Sequence, residues 1–395
     1  MSVSDNTSEA VQDRPLNVLL LFPGPVHDAV DQFRDRLERM SERFTGTVLV
    51  PGAKDEVFKF GRFSVVMLQE GKAGALGTVA FIRRAAARGK QLARAERQRG
   101  QPYDLISSWD PLKSGLTALA IAREHGTPLA IELNGDYAAR ANFADIKNPV
   151  LRWGKRRGFI AVVRYVLARS HGIKLLLDPA LDYFRGGLRG QVVRAFPDYL
   201  DLGPFKNLGD SPEILFAGFP FYRKGVDVLI DAFKKVSDDF PEWRLKILGW
   251  FPDKTLLNAA IDGHPKVIVH PPVYHRDVAD HLGRCGIFAL PSRSEGQPRV
   301  LIEAMSCGKP RVGTRVDGIP TVINDGEDGY LVPPGDSAAL AEAFRKLMGD
   351  DALRLQMGAN AARRAREQFP TDLYVGRIDQ FYRAVIASSR GVGQG

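Results

Sequence analysis

Two glutamates, Glu295 and Glu303, stand eight positions apart in the run Ser294-Glu295-Gly296-Gln297-Pro298-Arg299-Val300-Leu301-Ile302-Glu303-Ala304-Met305. An apolar stretch, Gly286–Leu290, precedes the run and reads as a buried strand. Glu295 therefore falls where a strand gives way to a loop, and Glu303 one turn into a helix. A helix start beside a strand end offers backbone N–H donors to an anion, while carboxylates accept hydrogen bonds from hydroxyls. A phosphate and a sugar held together match that chemistry. An ordinary helix start with acids near its positive end accounts for one glutamate, but not for the pattern around both.

A second constellation is Phe216-Ala217-Gly218-Phe219-Pro220-Phe221-Tyr222-Arg223-Lys224-Gly225, read as strand, turn and helix start. Gly218 permits a tight exit, and Gly225 allows close backbone approach at the helix entrance. Arg223 and Lys224 supply positive charge there, which suits a diphosphate. The same pair is also what a solvated surface loop carries. Gly318-Ile319-Pro320 and the stretch Gly326–Asp336 are expected to add loops on the same side of the sheet, and Gly308-Lys309-Pro310 precedes a strand.

Short apolar strands alternating with helices must position these residues. Leu16–Phe22, Val48–Val50, Val65–Leu68, Leu105–Trp109 and Leu129–Leu133 read as strands; the spacing of Val30, Phe33, Leu37, Met40 and Phe44, and the stretches Thr78–Arg99 and Leu116–His125, read as helices. The pattern restarts with strands at Ile214–Gly218, Leu245–Gly249, Val267–His270, Gly286–Leu290, Arg311–Thr314 and Tyr330–Val332. Helices are expected over Val226–Phe240, Arg276–Arg284, Val300–Ser306, Ser337–Met348 and Tyr374–Ser388. This alternation predicts an α/β chain of two successive doubly wound parallel sheets. The expected boundaries are a disordered lead-in over 1–14, an N-terminal domain over 15–203, a C-terminal domain over 204–372 and a final helix and tail over 373–395. Asp201–Ser211 reads as the linker.

The chain has 395 residues, long for one core, with 44% apolar and 26% charged residues, as in globular proteins. No apolar run is long enough to span a bilayer, and Met1–Arg14 is polar rather than a signal peptide. Cys285 and Cys307 read as small core residues of a reducing cytoplasm. The seven histidines show no metal-like spacing, and His270 and His275 are expected to cap or pack. Charge is uneven: Arg83–Arg99 holds seven basic residues against Glu96, and Lys147–Arg169 holds seven against none, while the whole chain nets +9. These segments read either as solvated helix faces or as a peripheral contact with an anionic inner membrane leaflet, where Phe159–Leu167 adjoins apolar residues to the charge. No nucleic-acid-binding module accompanies them.

From Gly218 to Asp336 the chain resembles the C-terminal domain of a retaining GT-B glycosyltransferase of family 4. Lys224-Gly225, the two-glutamate block ending Glu303-Ala304-Met305, Gly318-Ile319-Pro320 and Asp325-Gly326 through Gly335-Asp336 follow one another in the family's order. Tyr103–Ile106, Asp110-Pro111 and Leu133-Asn134-Gly135 carry a weaker likeness in the N-terminal half. The resemblance implies two Rossmann-like domains facing a cleft, with the last helix crossing back to the first, and transfer of a hexosyl group from a nucleotide sugar without a metal or other cofactor. UDP is favoured as the base carrier, and GDP is possible. It further implies that Glu303 accepts from the ribose hydroxyls, Glu295 holds the donor sugar and Lys224, with Arg223, meets the diphosphate. Gly218, Gly225 and the stretch Gln297, Pro298, Arg299 and Val300 complete the donor site, Asn134 assists catalysis, and Gly24 and Asp110 lie on the acceptor side. The acceptor is a glycan or lipid-linked hydroxyl. The chain departs from the family pattern at Phe219 (arginine in the family), at Gln297-Pro298 (an aromatic-glycine pair), at Asn134 (histidine), at Gly24-Pro25 (a glycine pair) and at Thr321 (an acid). A nucleotide-sugar-binding partner subunit of weak activity and a GT-B-shaped epimerase are the alternatives.

Overall fold

A computed structural model describes residues 14–23, 29–71, 74–135, 137, 138, 143, 146, 148–176, 181–251 and 253–391. Gly24, the lead-in up to residue 13 and Lys147 lie outside the described residues. The chain divides into unit 1, Met1–Tyr199 with Asp372–Gly395, and unit 2, Leu200–Thr371.

In unit 1 the order is β1 (Leu16–Leu21), α1 (Ala29–Met40), β2 (Phe44–Gly52), β3 (Glu56–Phe60), β4 (Phe63–Gln69), α2 (Ala75–Gln98), β5 (Leu105–Ser108), α3 (Lys113–His125), β6 (Leu129–Leu133), α4 (Pro149–Leu167), β7 (Gly172–Leu175) and β8 (Val192–Ala195). The sheet runs β3-β4-β2-β1-β5-β6-β7-β8, parallel except for β3 against β4. All six residues of β1 are buried because helices cover both faces of the sheet. Strand order reverses at β1/β5, the position where open α/β sheets hold ligands beyond the carboxyl ends of their strands.

Unit 2 contains β9 (Ser211–Ala217), α5 (Val226–Lys234), β10 (Arg244–Leu248), α6 (Thr255–Ile261), β11 (Val267–His270), α7 (His275–Arg284), β12 (Cys285–Leu290), α8 (Arg299–Ser306), β13 (Arg311–Thr314), α9 (Ile319–Val322), β14 (Gly329–Val332), α10 (Ser337–Gly349) and α11 (Asp351–Gln368). Its six parallel strands lie in the order β11-β10-β9-β12-β13-β14, with the reversal at β9/β12. Cys285 and Cys307 are buried in its core, where desolvation raises both thiols, Cys307 to about 12.

The last helix, α12 (Thr371–Gly391), returns to unit 1. Its Tyr374, Ile378, Phe381, Tyr382 and Val385 join the cluster of Leu16, Val18 and Phe44. Gly172 admits this helix: a Cβ there would stand 2.2 Å from Val385. Beneath it lies a buried charge network. Lys174 Nζ is 3.1 Å from Glu132 and 3.5 Å from Asp198, Arg36 is 3.3 Å from Asp198, and Arg36 donates to the Tyr374 hydroxyl. Burial raises Glu132 against the pull of Lys174 and Arg36. Two cations facing two carboxylates leave the network balanced, which buried charges require.

Two expectations are corrected. Asp201–Ser211 is no free linker. Phe205 enters the unit 2 core, Leu208 N–H donates to Gly283 O (2.8 Å), and the buried Lys309 ammonium binds Gly209 O (2.6 Å) and Asp210 (2.8 Å). Gly326–Asp328 does not lie with the other loops as expected, and shares its edge of the sheet with Lys309. Each immediately precedes a parallel strand and so sits at the amino edge of the sheet, opposite Glu295. There Asp328 is buried between Arg311 (2.8 Å) and Arg364, and desolvation lowers Arg311 to about 10.

Candidate functional site

The loop after β9 and the loop after β12 meet through their backbones at the unit 2 reversal. Gly225 opens α5 at φ +68, and a Cβ there would fall 2.0 Å from Pro291 O. Only glycine accommodates both that conformation and that contact. Arg293 fastens the two loops. Its N–H donates to Arg223 O (2.7 Å), its guanidinium forks onto Asp227 at 2.7 and 2.8 Å, and it stacks 4.1 Å over Tyr222. Gly218, at the end of β9, lies against the Lys224 stem, whose carbons would stand 3.5 Å from a Cβ there.

This clamp brings Lys224 Nζ onto Glu295 Oε1, an ion pair between residues 71 positions apart. Ser292 Oγ donates to the same carboxylate oxygen at 2.8 Å, and Thr314 Oγ1 holds Ser292 O at 2.6 Å. Asp317 accepts from Glu295 N–H (2.7 Å) and from Ser294 Oγ (2.9 Å), so the backbone as well as the side chain of Glu295 is fixed. Glu303, on the buried face of α8, lies 2.9 Å from His275 Nε2. His275 opens α7 and also packs on Phe205 with ring centroids 5.8 Å apart. The expected packing role holds, but its ring nitrogen is given to Glu303 rather than to a helix cap.

The α8 N-terminus starts at Arg299, with Pro298 as its cap. Arg299 N–H already donates to Gln297 O at 2.9 Å. Of the expected backbone donors Gln297 to Val300, Pro298 has no N–H and Arg299 is engaged within the loop. Arg223 is held at the surface of the first loop, 3.5 Å from Phe219 O. Phe219 is exposed and lies against Trp250, with centroids 5.2 Å apart. Among the described residues no cluster of three His, Cys, Asp or Glu side chains has metal-binding geometry.

Asp110 and Asn134 follow adjacent strands, β5 and β6, at the carboxyl edge of unit 1. Asp110 Oδ1 accepts Leu112 N–H (2.7 Å) and Asn134 Nδ2 donates to Trp109 O (2.8 Å). The other oxygens, Asp110 Oδ2 and Asn134 Oδ1, are buried without a partner among the described residues. Burial raises the Asp110 carboxyl against its hydrogen bonds to Ser114 and Leu112. Both are acceptors that a hydroxyl donor could satisfy.

Sequence reasoning missed Ser292, Arg293, Asp317, Asp227 and His275 as parts of this assembly. Ser292, Arg293 and Asp317 lie close to the motif residues, and their polar types at strand ends were the available signal. His275 and Asp227 had none, because each meets its partner only through the fold.

Comparison with known proteins agrees with this architecture. Residues 211–350 match the family model described as glycosyl transferases group 1. A D-inositol 3-phosphate glycosyltransferase of Streptomyces avermitilis is 32% identical over 319 residues, covering 73% of this chain and 67% of the relative. Against an exopolysaccharide phosphotransferase of Streptomyces coelicolor the chain is 37% identical over 42% of its length, but spans only 18% of that protein; against five further relatives it spans 40% to 51%. The solved sucrose-phosphate synthase of Thermosynechococcus elongatus superposes over 94% of this chain and 100% of its own with a TM-score of 0.76 at 18% identity, a likeness of fold. The motif order, the two Rossmann-like units and the alignment to two thirds of a curated relative place this chain in the group 1 glycosyltransferases of family 4, with the GT-B fold.

Proposed function

We propose that the protein transfers a hexosyl group from a nucleotide sugar to a hydroxyl of a glycan or lipid-linked acceptor, with retention at the anomeric carbon, in the cytoplasmic synthesis of a cell-surface polysaccharide or glycoconjugate. The observation that carries this reading is the Lys224–Glu295 ion pair beside Glu303 at the strand reversal of unit 2. In this reading the ribose diol donates to Glu303, the sugar hydroxyls donate to Glu295, and Lys224 turns to the diphosphate. The bond between the anomeric carbon and the phosphate oxygen breaks while the acceptor oxygen bonds to that carbon on the same face. The acceptor proton passes to the departing phosphate oxygen. Lys224 and the α8 N-terminus stabilise the negative charge that develops there. No step calls on a metal or a cofactor. Asp110 and Asn134 receive hydroxyl donors on unit 1. UDP is favoured because a solved relative in fold, Anabaena HepE, is described in complex with UDP and glucose (TM-score 0.69, 18% identity).

Purified protein presented with UDP- and GDP-sugars and an acceptor extract should release one nucleoside diphosphate and yield an α-linked product from an α-linked donor. Failure to bind or hydrolyse any donor sinks the proposal. The uncharged contact of Phe219 with Trp250, where the family carries arginine, favours one other reading, a donor-binding partner subunit of weak activity. Donor binding without transfer to any acceptor would select it.

A further inference from the structure

Each glutamate of the unit 2 site has one carboxylate oxygen tied to the protein. Glu295 Oε1 accepts from both Lys224 Nζ and Ser292 Oγ. Glu303 Oε1 lies 2.9 Å from His275 Nε2. Among the described residues neither Oε2 atom accepts a hydrogen bond, and no lysine or arginine pairs with Glu303. The anchors differ in kind. Lys224 and Ser292 are largely buried, whereas the His275 side chain is 41% exposed and opens α7. An exposed ring loses rotamer freedom only where something holds it.

Two contacts hold this one. Phe205, buried in the unit 2 core, meets the ring with centroids 5.8 Å apart, and Phe205 O accepts from Ser306 Oγ at 3.1 Å. Ser306 follows Glu303 by three positions on α8, so the two share one side of that helix. The residues close a short circuit: Glu303 to His275, His275 to Phe205, Phe205 to Ser306, and one turn of α8 back to Glu303. Ring packing on Phe205 would leave Nε2 to water. Instead Nε2 is given to a carboxylate that is itself buried. A carboxylate only accepts, so Nε2 carries the hydrogen whatever the charge on the ring.

We propose that His275 is a positioning residue of the nucleotide site. By holding Oε1 it fixes the plane of the Glu303 carboxylate, so that Oε2 is presented in one orientation to the vicinal hydroxyls of a ribose. The inference rests on the proposed role of Glu303 and deepens it. A carboxylate on free torsions follows whichever hydroxyl remains when one is removed, and discriminates little. A carboxylate fixed in place is matched to the diol, and a sugar lacking one hydroxyl leaves it short of a donor. His275 thereby sets the preference for ribose over 2-deoxyribose through Glu303.

The test is calorimetric titration of the full chain with UDP and 2′-deoxy-UDP, and with GDP and 2′-deoxy-GDP. The parent should bind the ribose form about fivefold more tightly. His275→Ala should reduce that ratio to less than about twofold, by weakening the ribose form. His275→Gln should restore it, because a glutamine amide nitrogen reaches as far from the backbone as Nε2. His275→Asn, whose amide stops at the Nδ1 position, should not. In a Glu303→Ala background His275→Ala should leave the ratio unchanged, as required of a residue that acts through another. The comparison of Gln with Asn keeps the result separate from any general loss of fold. A ratio unmoved by His275→Ala, including an equal loss of both nucleotides, would mark a packing role and overturn the proposal. Equal rescue by Asn and Gln, or a ratio that still falls without Glu303, would overturn it too. A parent that binds neither UDP nor GDP overturns the donor reading and this inference with it. A parent that binds one of them and prefers ribose regardless of His275 overturns this inference alone.

Discussion

At the carboxyl edge of the unit 2 sheet, Glu295 is held by Lys224 and Ser292, and Glu303 by His275. At the carboxyl edge of the unit 1 sheet, Asp110 Oδ2 and Asn134 Oδ1 are buried with no partner among the described residues. Both edges lie at a strand-order reversal, yet they store polarity in opposite ways. Unit 2 keeps its charges paired, so a ligand there must exchange one hydrogen bond for another. Unit 1 carries a desolvation cost at these two oxygens. A second contrast lies within unit 2: charges at its carboxyl edge surround a candidate site, while Arg311, Asp328 and Arg364 at its amino edge are buried against one another.

The contrast can be broken from its strongest point downward. Asp328→Ala strands two buried guanidinium groups and should cost about 3–5 kcal/mol of unit 2 stability in urea unfolding; an unchanged transition would show that the amino-edge charges do not hold the fold. Lys224→Ala should lower turnover about 10²-fold or more, the scale for losing one charge-stabilising donor, with little loss of stability. Turnover equal to that of the parent removes Lys224 from the site. Glu303→Ala should weaken nucleotide binding about tenfold, the scale of one charge-assisted hydrogen bond. Glu295→Ala should instead reduce transfer at saturating donor. Calorimetry beside kinetics separates the two, and parallel losses in both quantities would end the division of roles.

The smallest effect is expected at Asp110. Burial raises its carboxyl in the folded state, so the folded protein binds the proton more tightly than the unfolded chain. Stability from this group therefore falls as pH rises from the ordinary carboxylate range through the raised value. Asp110→Asn keeps the acceptor for Leu112 N–H and removes the charge. It should raise Tm by about 2 °C at pH 7, with the gain vanishing in acid, while lowering transfer. A Tm loss at pH 7 would show that the unpaired oxygen is not a stored cost.

Much of the fold was legible because apolar runs of four to six residues bounded by Gly, Pro or Asn mark buried parallel strands locally. The elements that escaped are those whose tertiary role spoils that signal. In β7, Lys174 breaks the apolar run because its ammonium enters the buried network; β8 is an edge strand, half exposed. The helical pattern of α11 is masked by buried Arg354 and Arg364, and that of α4 by the exposed Val150, Leu151 and Trp153 of its first turns. Val226–Phe240 was read as one helix, but α5 ends at Lys234. Ser237 Oγ turns back to Lys234 O (3.3 Å) as the chain tightens into turns.

The site divides in the same way. The motif order by itself determined that Glu295, Glu303, Lys224 and Gly225 belong to one carboxyl edge, since strand ends and helix starts are set by neighbours in the chain. Only the tertiary structure decided their partners: Lys224 on Glu295 across 71 positions, Asp317 on the Glu295 N–H, and His275 on Glu303. It alone also gave Lys309 to Asp210 and placed Asp328 between Arg311 and Arg364. Periodicity is a property of backbone geometry over a few residues. Charge partners are a property of burial, which exists only after distant segments have closed on one another.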